Sequence, residues 1–233
     1  IEFLALHDAL TGLPNRVYLT HQLEDVLRMG QPAAVLYVDL DRYKLINDTL
    51  GHSVGDQVLI DVAKRLRESI RRTDIPGRMG GDEFILLLPD LRDRAQIEQI
   101  ARKVLAAIER PFVLMNRAYF LSASIGVAVS PDDGAEAQLL IKCADTAMYQ
   151  VKSEGRNNVR FFAGDVSDER SDQLQLSAEF PLALQRGEID LYYQPVLAVG
   201  ERRLVGVEGL MRWNHGGQPI EPAVFVPILE DTG

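Results

Sequence analysis

Arg78 to Pro89 reads RMGGDEFILLLP: two glycines, then adjacent carboxylates at Asp82 and Glu83, then an apolar run. A second acidic pair, Asp39 and Asp41, closes the apolar stretch AVLYVDLD at 34–41. Two carboxylates brought together without a cation repel, and their pKa values rise. A hard divalent cation resolves that conflict. Mg2+ takes one or two carboxylates, keeps waters and completes its shell with substrate phosphates. Gly80 and Gly81 would let a phosphate approach the backbone closely. Side chains alternate along a strand, so Asp82 and Glu83 are expected on opposite faces, only one of them sharing a site with a given partner. Asp39 and Asp41 are expected on one face. Asp39 and Asp82 converge if their strands are neighbours. The plain alternative is that acids beside a hairpin turn are solvated and inert.

Periodicity gives the elements that must position these acids. Residues 34–41 read as a buried strand that turns acidic at its end. Asn15 to Met29 reads as a helix opened by the turn-like TGLPN. Val54, Val58, Val62, Leu66 and Ile70 recur at helical spacing. GRMGGDEFILLL reads as two strands around a Gly-Gly turn. Residues 93–109 are helical, with Ile97, Ala101, Val104 and Ile108 on one stripe. FVLMNRAYFLSASIGVAVS reads as a strand, a turn at Asn116 and one long strand. Residues 136–154 form a helix with Leu140, Ala144, Met148 and Val151 inward, stopped by Gly155, and NNVRFF is a last strand. Helices interleaved with a hairpin predict an α+β fold, an antiparallel or mixed sheet covered by helices.

From about Gly164 the stretch AGDVSDERSD is polar, as a linker would be. A helix over roughly 173–187 follows, then the strands IDLYYQPVLAV and RRLVGVEGLMRW and a helix in EPAVFVPILED. This tail is too short for a large core of its own. The formal net charge of -9 argues against a nucleic-acid surface. The single cysteine, Cys143, excludes a disulfide framework and a thiolate metal cage. There is no P-loop pattern and no metal-spaced Cys/His set. No apolar run approaches a membrane span and no signal peptide is present, so a cytoplasmic segment without membrane contact is expected. The first residue is Ile1, and VPILEDTG ends the chain as an incomplete helix-like segment. A piece of a longer protein is expected, whose missing N-terminal region would carry any sensor or anchor.

GGDEF at 80–84 resembles the signature of the GGDEF family, the diguanylate cyclases. DALTGLPNR at 8–16 resembles the family's entry motif. VDLDRYKLINDTLGHSVGDQVL at 38–59 resembles its second block, with Tyr43 where phenylalanine is commoner. ADTAMYQVKSEGRNNV at 144–159 resembles its closing block. The likeness covers about residues 1–162. It implies a palm-like, nucleotidyl-cyclase-like sheet, mostly antiparallel, and condensation of two GTP into cyclic di-GMP with loss of two pyrophosphates. It also implies Mg2+ (or Mn2+) and a catalytic homodimer in which each half-site holds one GTP.

By position, the resemblance assigns metal binding to Asp39, Asp82 and the backbone carbonyl of Leu40. Asp82 or Glu83 would take the proton of the attacking 3′-hydroxyl. Lys44, Lys152 and Arg156 would neutralise the triphosphate beside Gly80 and Gly81. Asn47 and Asp56 would read guanine, with His52 near the base or ribose. Arg71 and Asp74, an R-x-x-D pattern, resemble the inhibitory product site, to which Arg102 would contribute. Such catalysis needs mostly charge stabilisation on the transferring phosphoryl group. Several assignments make independent physical sense. The Asp56 carboxylate can accept from the guanine N1–H and 2-amino group. Lys152 and Arg156 lie about one helical turn apart. An arginine suits the Hoogsteen edge or phosphate of a guanine nucleotide. The bland readings are solvated lysines, Asn47-Asp48 as a helix cap, His52 as a turn residue and Arg71–Asp74 as a helix-end ion pair.

YYQPVL and VGVEGLMRWNH resemble the opening of an EAL domain, the cyclic di-GMP phosphodiesterase barrel. Glu208-Gly209-Leu210 stands where that family has Glu-Ala-Leu, with Glu208 at a metal-ligand position. RWNHGG lacks the proline usual after the histidine. A (β/α) barrel needs about 250 residues, so this incomplete fragment is expected to have no phosphodiesterase activity. Its two strands alone would be unpaired edges and an aggregation risk. The expected division is 1–162 GGDEF domain, 163–172 linker and 173–233 EAL fragment. The competing reading of function is a catalytically silent GTP- or cyclic di-GMP-binding domain that regulates an EAL phosphodiesterase.

Overall fold

The computed structural model describes residues 5–164, 169–198, 203–222, 224–226 and 229. The chain divides into two compact units, Ile1–Val166 and Ser167–Gly233.

The first unit holds, in order, α1 (Arg16–Arg28), β1 (Ala33–Leu40), α2 (Tyr43–Leu50), α3 (His52–Ser69), β2 (Ile75–Gly80) and β3 (Glu83–Pro89). There follow α4 (Arg94–Glu109), β4 (Phe112–Leu114), β5 (Arg117–Tyr119), β6 (Ala123–Val129), α5 (Ala137–Ser153) and β7 (Asn158–Phe161). Five strands make one sheet in the order β2-β3-β1-β6-β7. Every pairing in it is antiparallel except β6 with β7. This is the mixed, mostly antiparallel sheet that the interleaved pattern predicts. All eight residues of β1 are buried, because the central strand is covered on both faces. Leu36, Val38, Leu86 and Val127 pack into one core with Val62 and Leu66 of α3 and Val104 and Ile108 of α4. Val35, Tyr37, Ile85 and Leu87 face the other way, into a core with Leu19 of α1 and Leu140, Ala144 and Met148 of α5.

Local signals set the helix ends. Asn15 caps α1 by accepting from the Tyr18 amide at 3.1 Å, and Asp93 caps α4 by accepting from the Ala95 amide at 3.0 Å. Gly126 on β6 is a packing requirement. A Cβ there would overlap the Ala144 carbonyl oxygen and the Met148 amide nitrogen, both backbone atoms of α5. The helix that carries Lys152 therefore lies directly on the central sheet.

Some expectations are corrected. The long strand read through 117–129 is broken at 120–122: β5 pairs with β4 in a separate two-stranded sheet, and β6 joins the main one. The extra helix α2 precedes α3. The hairpin turn is Gly81-Asp82 rather than Gly-Gly, since β2 runs through Gly80 and β3 starts at Glu83.

The second unit holds α6 (Glu169–Arg186), β8 (Ile189–Leu197), β9 (Leu204–His215) and β10 (Gln218–Ile220). The helix begins at Glu169, inside the stretch read as linker. The strands form an antiparallel sheet in the order β10-β9-β8, with Pro195 on the edge strand β8, where a missing N–H is tolerated. Its small core gathers Ala183, Trp213 and Phe225, with Trp213 edge-on to Phe180 and Phe225. The expectation of unpaired edges is corrected, since β8 and β9 pair with each other and β9 is the middle strand, although Leu191, Tyr193, Val205 and Val207 are exposed. Glu208 lies on β9 opposite Gln194 and is exposed. Residues 199–202 of the connection between β8 and β9, and residues 223, 227, 228, 230 and 231 of the helix read in EPAVFVPILED, lie outside the described residues. Among the described residues, no helix is long and apolar enough to cross a membrane.

Candidate functional site

The C-terminal end of β1 meets the start of β3. Asp39 pairs across the ladder with Glu83, and the Leu40 amide donates to the Asp82 carbonyl at 3.3 Å. Directly paired residues project from the same face of a sheet. Asp39 and Glu83 therefore both lie on the α5 side. Asp82 sits in the turn, so strand alternation does not govern it. The expectation of opposite faces is corrected by the pairing of Glu83 with Asp39, and the charges of both Asp82 and Glu83 reach Asp39.

Asp39 is 4% exposed. Burial pushes its carboxyl up to about 7; Lys152 opposes the shift, and the Asp82 and Glu83 charges add to it. Asp82 is raised too, by burial first, with Glu83 adding and Lys152 and Arg78 opposing. The Lys152 ammonium pairs with Asp39 at 2.8 Å, and the Tyr37 hydroxyl donates to Glu83 Oε2 at 2.9 Å. Buried Asp39 beside half-buried Asp82 and Glu83 is a grouping of carboxylates that a hard divalent cation would relieve, so the residues fit such an ion. Gly80 and Gly81 flank them with φ of +144° and +51°, in the region that favours glycine. A Cβ on either would point into open space, so the turn is approachable.

Arg78 fixes this turn. Its guanidinium donates twice to the Gly81 carbonyl, at 3.0 and 2.7 Å, and to both Asp8 oxygens at 3.0 and 3.1 Å. Asp8 also accepts from the Thr11 amide and hydroxyl at 2.8 and 2.6 Å. Burial raises Asp8, but those Thr11 bonds and Arg78 outweigh it and lower the carboxyl overall. Neither residue was assigned a role from sequence. The available signal was D-x-x-T, an Asx-type turn, together with an arginine two residues before the glycines.

At the α2–α3 corner, Tyr43 and Asn47 are neighbours. A Cβ at Gly55 would overlap Asn47 Oδ1 and crowd the Tyr43 hydroxyl. Asn47 Oδ1 is a buried acceptor without a hydrogen-bond partner, as an acceptor awaiting a ligand donor would be. Burial raises the Tyr43 pKa, and the charges of both Asp56 and Asp82 add to that. Asn47 thus sits beside Tyr43, a residue that the charges of Asp56 and Asp82 both reach. Asn47 and Asp48 lie inside α2 and do not cap α3, whose N-cap is Gly51. His52 opens α3 and is exposed, as are Asp56 and, on α2, Lys44.

Asp41 departs from expectation. The strand ends at Leu40, and Asp41 turns into a buried cage of Ser122, Ser124 and Asn157 instead of sharing a site with Asp39. A cavity of about 480 Å3 adjoins it, lined by Asp41, Arg42, Leu45, Phe120, Arg156 and Asn157 among others. Of the expected triphosphate ligands it takes in Arg156. The Arg71–Asp74 pair forms a turn in which Asp74 accepts from the Arg71 amide at 2.9 Å. Asp74 Oδ1 is buried without a partner, and burial raises this carboxyl despite the Arg71 amide and charge. Arg102 donates to Asn158 Oδ1 at 2.9 Å and pairs with Glu98.

The five-stranded sheet and its acidic edge define a palm-like α+β domain. The chain belongs to the GGDEF family: residues 5–158 match the family described as "Diguanylate cyclase, GGDEF domain". Residues 177–233 match the EAL domain family. The bifunctional diguanylate cyclase/cyclic di-GMP phosphodiesterase MucR of Pseudomonas aeruginosa is 40% identical over 99% of this chain and 34% of MucR. The cyclic di-GMP phosphodiesterase NbdA of the same organism is 36% identical over 99% of this chain and 30% of NbdA. The chain therefore spans about a third of the length of these curated relatives. The crystal structure of the GGDEF domain of YfiN (TpbB) from Pseudomonas aeruginosa is similar with a TM-score of 0.65 and 37% identity, covering 66% of this chain and 99% of that one.

Proposed function

We propose that the first unit is a diguanylate cyclase, condensing two GTP into cyclic di-GMP and two pyrophosphates as a homodimer. The observation that carries this reading is the convergence of buried Asp39 with Asp82 and Glu83 at the open Gly81–Asp82 turn. Asp39, Asp82 and the Leu40 carbonyl would hold Mg2+ or Mn2+, which supplies charge neutralisation for the transferring phosphoryl group. Lys44, Lys152 and Arg156 bind the triphosphate. Lys152, which pairs with Asp39 at 2.8 Å, would be the lysine shared between the acidic cluster and the phosphates. Asn47, with its unpartnered Oδ1, and Asp56 accept from the guanine edge, and His52 borders the nucleoside. Asp82 or Glu83 accepts the proton of the 3′-hydroxyl. Each domain offers one such half-site, so closure of the ring requires a second copy. Arg71 and Asp74 take the product as an inhibitory ligand. Glu208 keeps a metal-ligand position of the EAL family, but this fragment closes no barrel.

A second reading has a specific observation in its favour. NbdA carries a phosphodiesterase name although it is similar over this whole stretch. In that reading the domain binds GTP or cyclic di-GMP without turnover and regulates an EAL barrel. The test is GTP with Mg2+ added to the chain fused to a dimerising coiled coil, with Asp82→Asn as control. Cyclic di-GMP from the parent sequence alone supports the cyclase. GTP bound but unconverted supports the regulatory reading.

A further inference from the structure

Asp41 stands two residues beyond Asp39 but serves neither the acidic cluster nor solvent. It is 4% exposed. Its Oδ2 accepts from the Ser122 hydroxyl at 2.6 Å and the Asn157 amide at 3.1 Å, and its Oδ1 from the Ser124 hydroxyl at 2.7 Å. Its own amide donates to the Ser122 carbonyl at 3.0 Å. Both oxygens are engaged, so Asp41 is not a third ligand for a cation at Asp39.

The segment it grips is unusual. Gly155, Arg156 and Asn157 are successive left-handed residues, with φ of +114°, +66° and +50°. Glycine adopts that region freely and asparagine visits it readily, whereas an arginine rarely does, so the Arg156 corner must be held by its surroundings. The Asn157 amide is held by Asp41, and the Asn157 side chain donates to Glu109 of α4 at 2.8 Å. Arg102 holds the next residue, Asn158. Arg156 lines the same cavity as Asp41 and Arg42. Arg42, immediately after Asp41, is left-handed as well, at φ +58°. Asp41 therefore sits between two strained corners. One leads into α2 and Lys44; the other presents Arg156.

We propose that Asp41 is a positioning residue for the polyphosphate of the substrate: it fixes the left-handed Arg156–Asn157 corner and so aims the Arg156 guanidinium. The ligand's identity rests on the cyclase reading; the clamp does not. Asparagine at position 41 keeps the shape but removes the charge, which weakens the bonds to Ser122 and Asn157, and its amide nitrogen meets Ser124 only if that hydroxyl reverses to accept. A loosened corner costs interactions with the β- and γ-phosphates and spares those with the nucleoside.

The experiment uses the whole chain and the variants Asp41→Asn, Arg156→Ala and the double variant, with Ser124→Ala as a milder loosening should Asp41→Asn not fold. Hydrogen exchange at the Asn157 amide is read by NMR, and GTP and GMP affinities are read by calorimetry with Mg2+. Asp41→Asn is expected to speed Asn157 exchange about tenfold or more. It should weaken GTP about tenfold while leaving GMP within about twofold. Arg156→Ala added to Asp41→Asn should then weaken GTP much less than it does alone. An Asn157 amide still protected in Asp41→Asn overturns the clamp. Equal losses for GTP and GMP, or additive losses in the double variant, overturn the positioning role. If the parent chain binds no GTP while Asn157 is freed in Asp41→Asn, the clamp stands, and the positioning role falls together with the cyclase reading.

Discussion

Replacing Arg78 by methionine keeps an unbranched apolar stem and removes the guanidinium that ties the Gly81–Asp82 turn to Asp8. Arg78 and Asp8 side chains are 10% and 23% exposed, so the pair is mostly shielded from water. Exposed ion pairs contribute at most about 1 kcal/mol, whereas breaking a buried pair costs about 3–5 kcal/mol. This pair lies nearer the buried limit, and the Gly81 carbonyl loses two donors as well. The expected loss is about 2–4 kcal/mol. For a unit of this size it lowers the unfolding midpoint by on the order of 10 °C. The pH dependence gives a second handle. The Asp8 carboxyl is lowered in the folded protein, so its stabilisation is present above the unfolded value of 3.8 and is lost as pH falls through the folded value. Urea denaturation of parent and Arg78→Met at pH 7 and again near pH 3 should show the gap shrinking in acid. A gap under about 0.5 kcal/mol at pH 7, or one that stays constant into acid, would refute the role given to Arg78.

Lys152→Met removes the cation that opposes burial at Asp39, so the Asp39 carboxyl should titrate above its value of about 7 in the metal-free protein, followed by carboxyl 13C NMR. Titration at or below the parent value contradicts the pairing. Gly126→Ala forces α5 off the sheet, because the new methyl meets backbone atoms that cannot rotate away. It should cost about 1–3 kcal/mol or more in urea denaturation and weaken GTP binding through displaced Lys152. Gly55→Ala should displace Asn47 and reduce the preference for GTP over ATP in competition binding, with a smaller change in stability.

The fold was largely legible because its core is written in local patterns. β1 is a continuous apolar run that turns acidic at Asp39, and α4 and α5 carry unbroken helical stripes. The convergence of Asp39 with Asp82 followed once those strands were neighbours. What escaped has nonlocal or turn-level causes. Asp8 and Arg78 meet across 70 residues, a distance over which periodicity carries no information. Strand alternation sets Asp82 and Glu83 on opposite faces, but Asp82 belongs to the turn and Glu83 pairs directly with Asp39. Apolar Tyr119, Phe120 and Leu121 hid the break between β5 and β6, since a run of strand formers does not mark where one sheet ends. Asp41 looked like a partner of Asp39 by spacing, yet the strand stops one residue earlier and Ser122, Ser124 and Asn157 claim its oxygens.

The most direct measurement is cyclic di-GMP formation from GTP by the dimerised chain across a Mg2+ titration, with Asp39→Asn and Asp82→Asn in parallel. If Asp39 and Asp82 hold the catalytic cation, product appears with Mg2+, vanishes with chelator, and falls by at least about a hundredfold in both variants. Product formed at parent rates by either variant, or without any divalent cation, would contradict the claim.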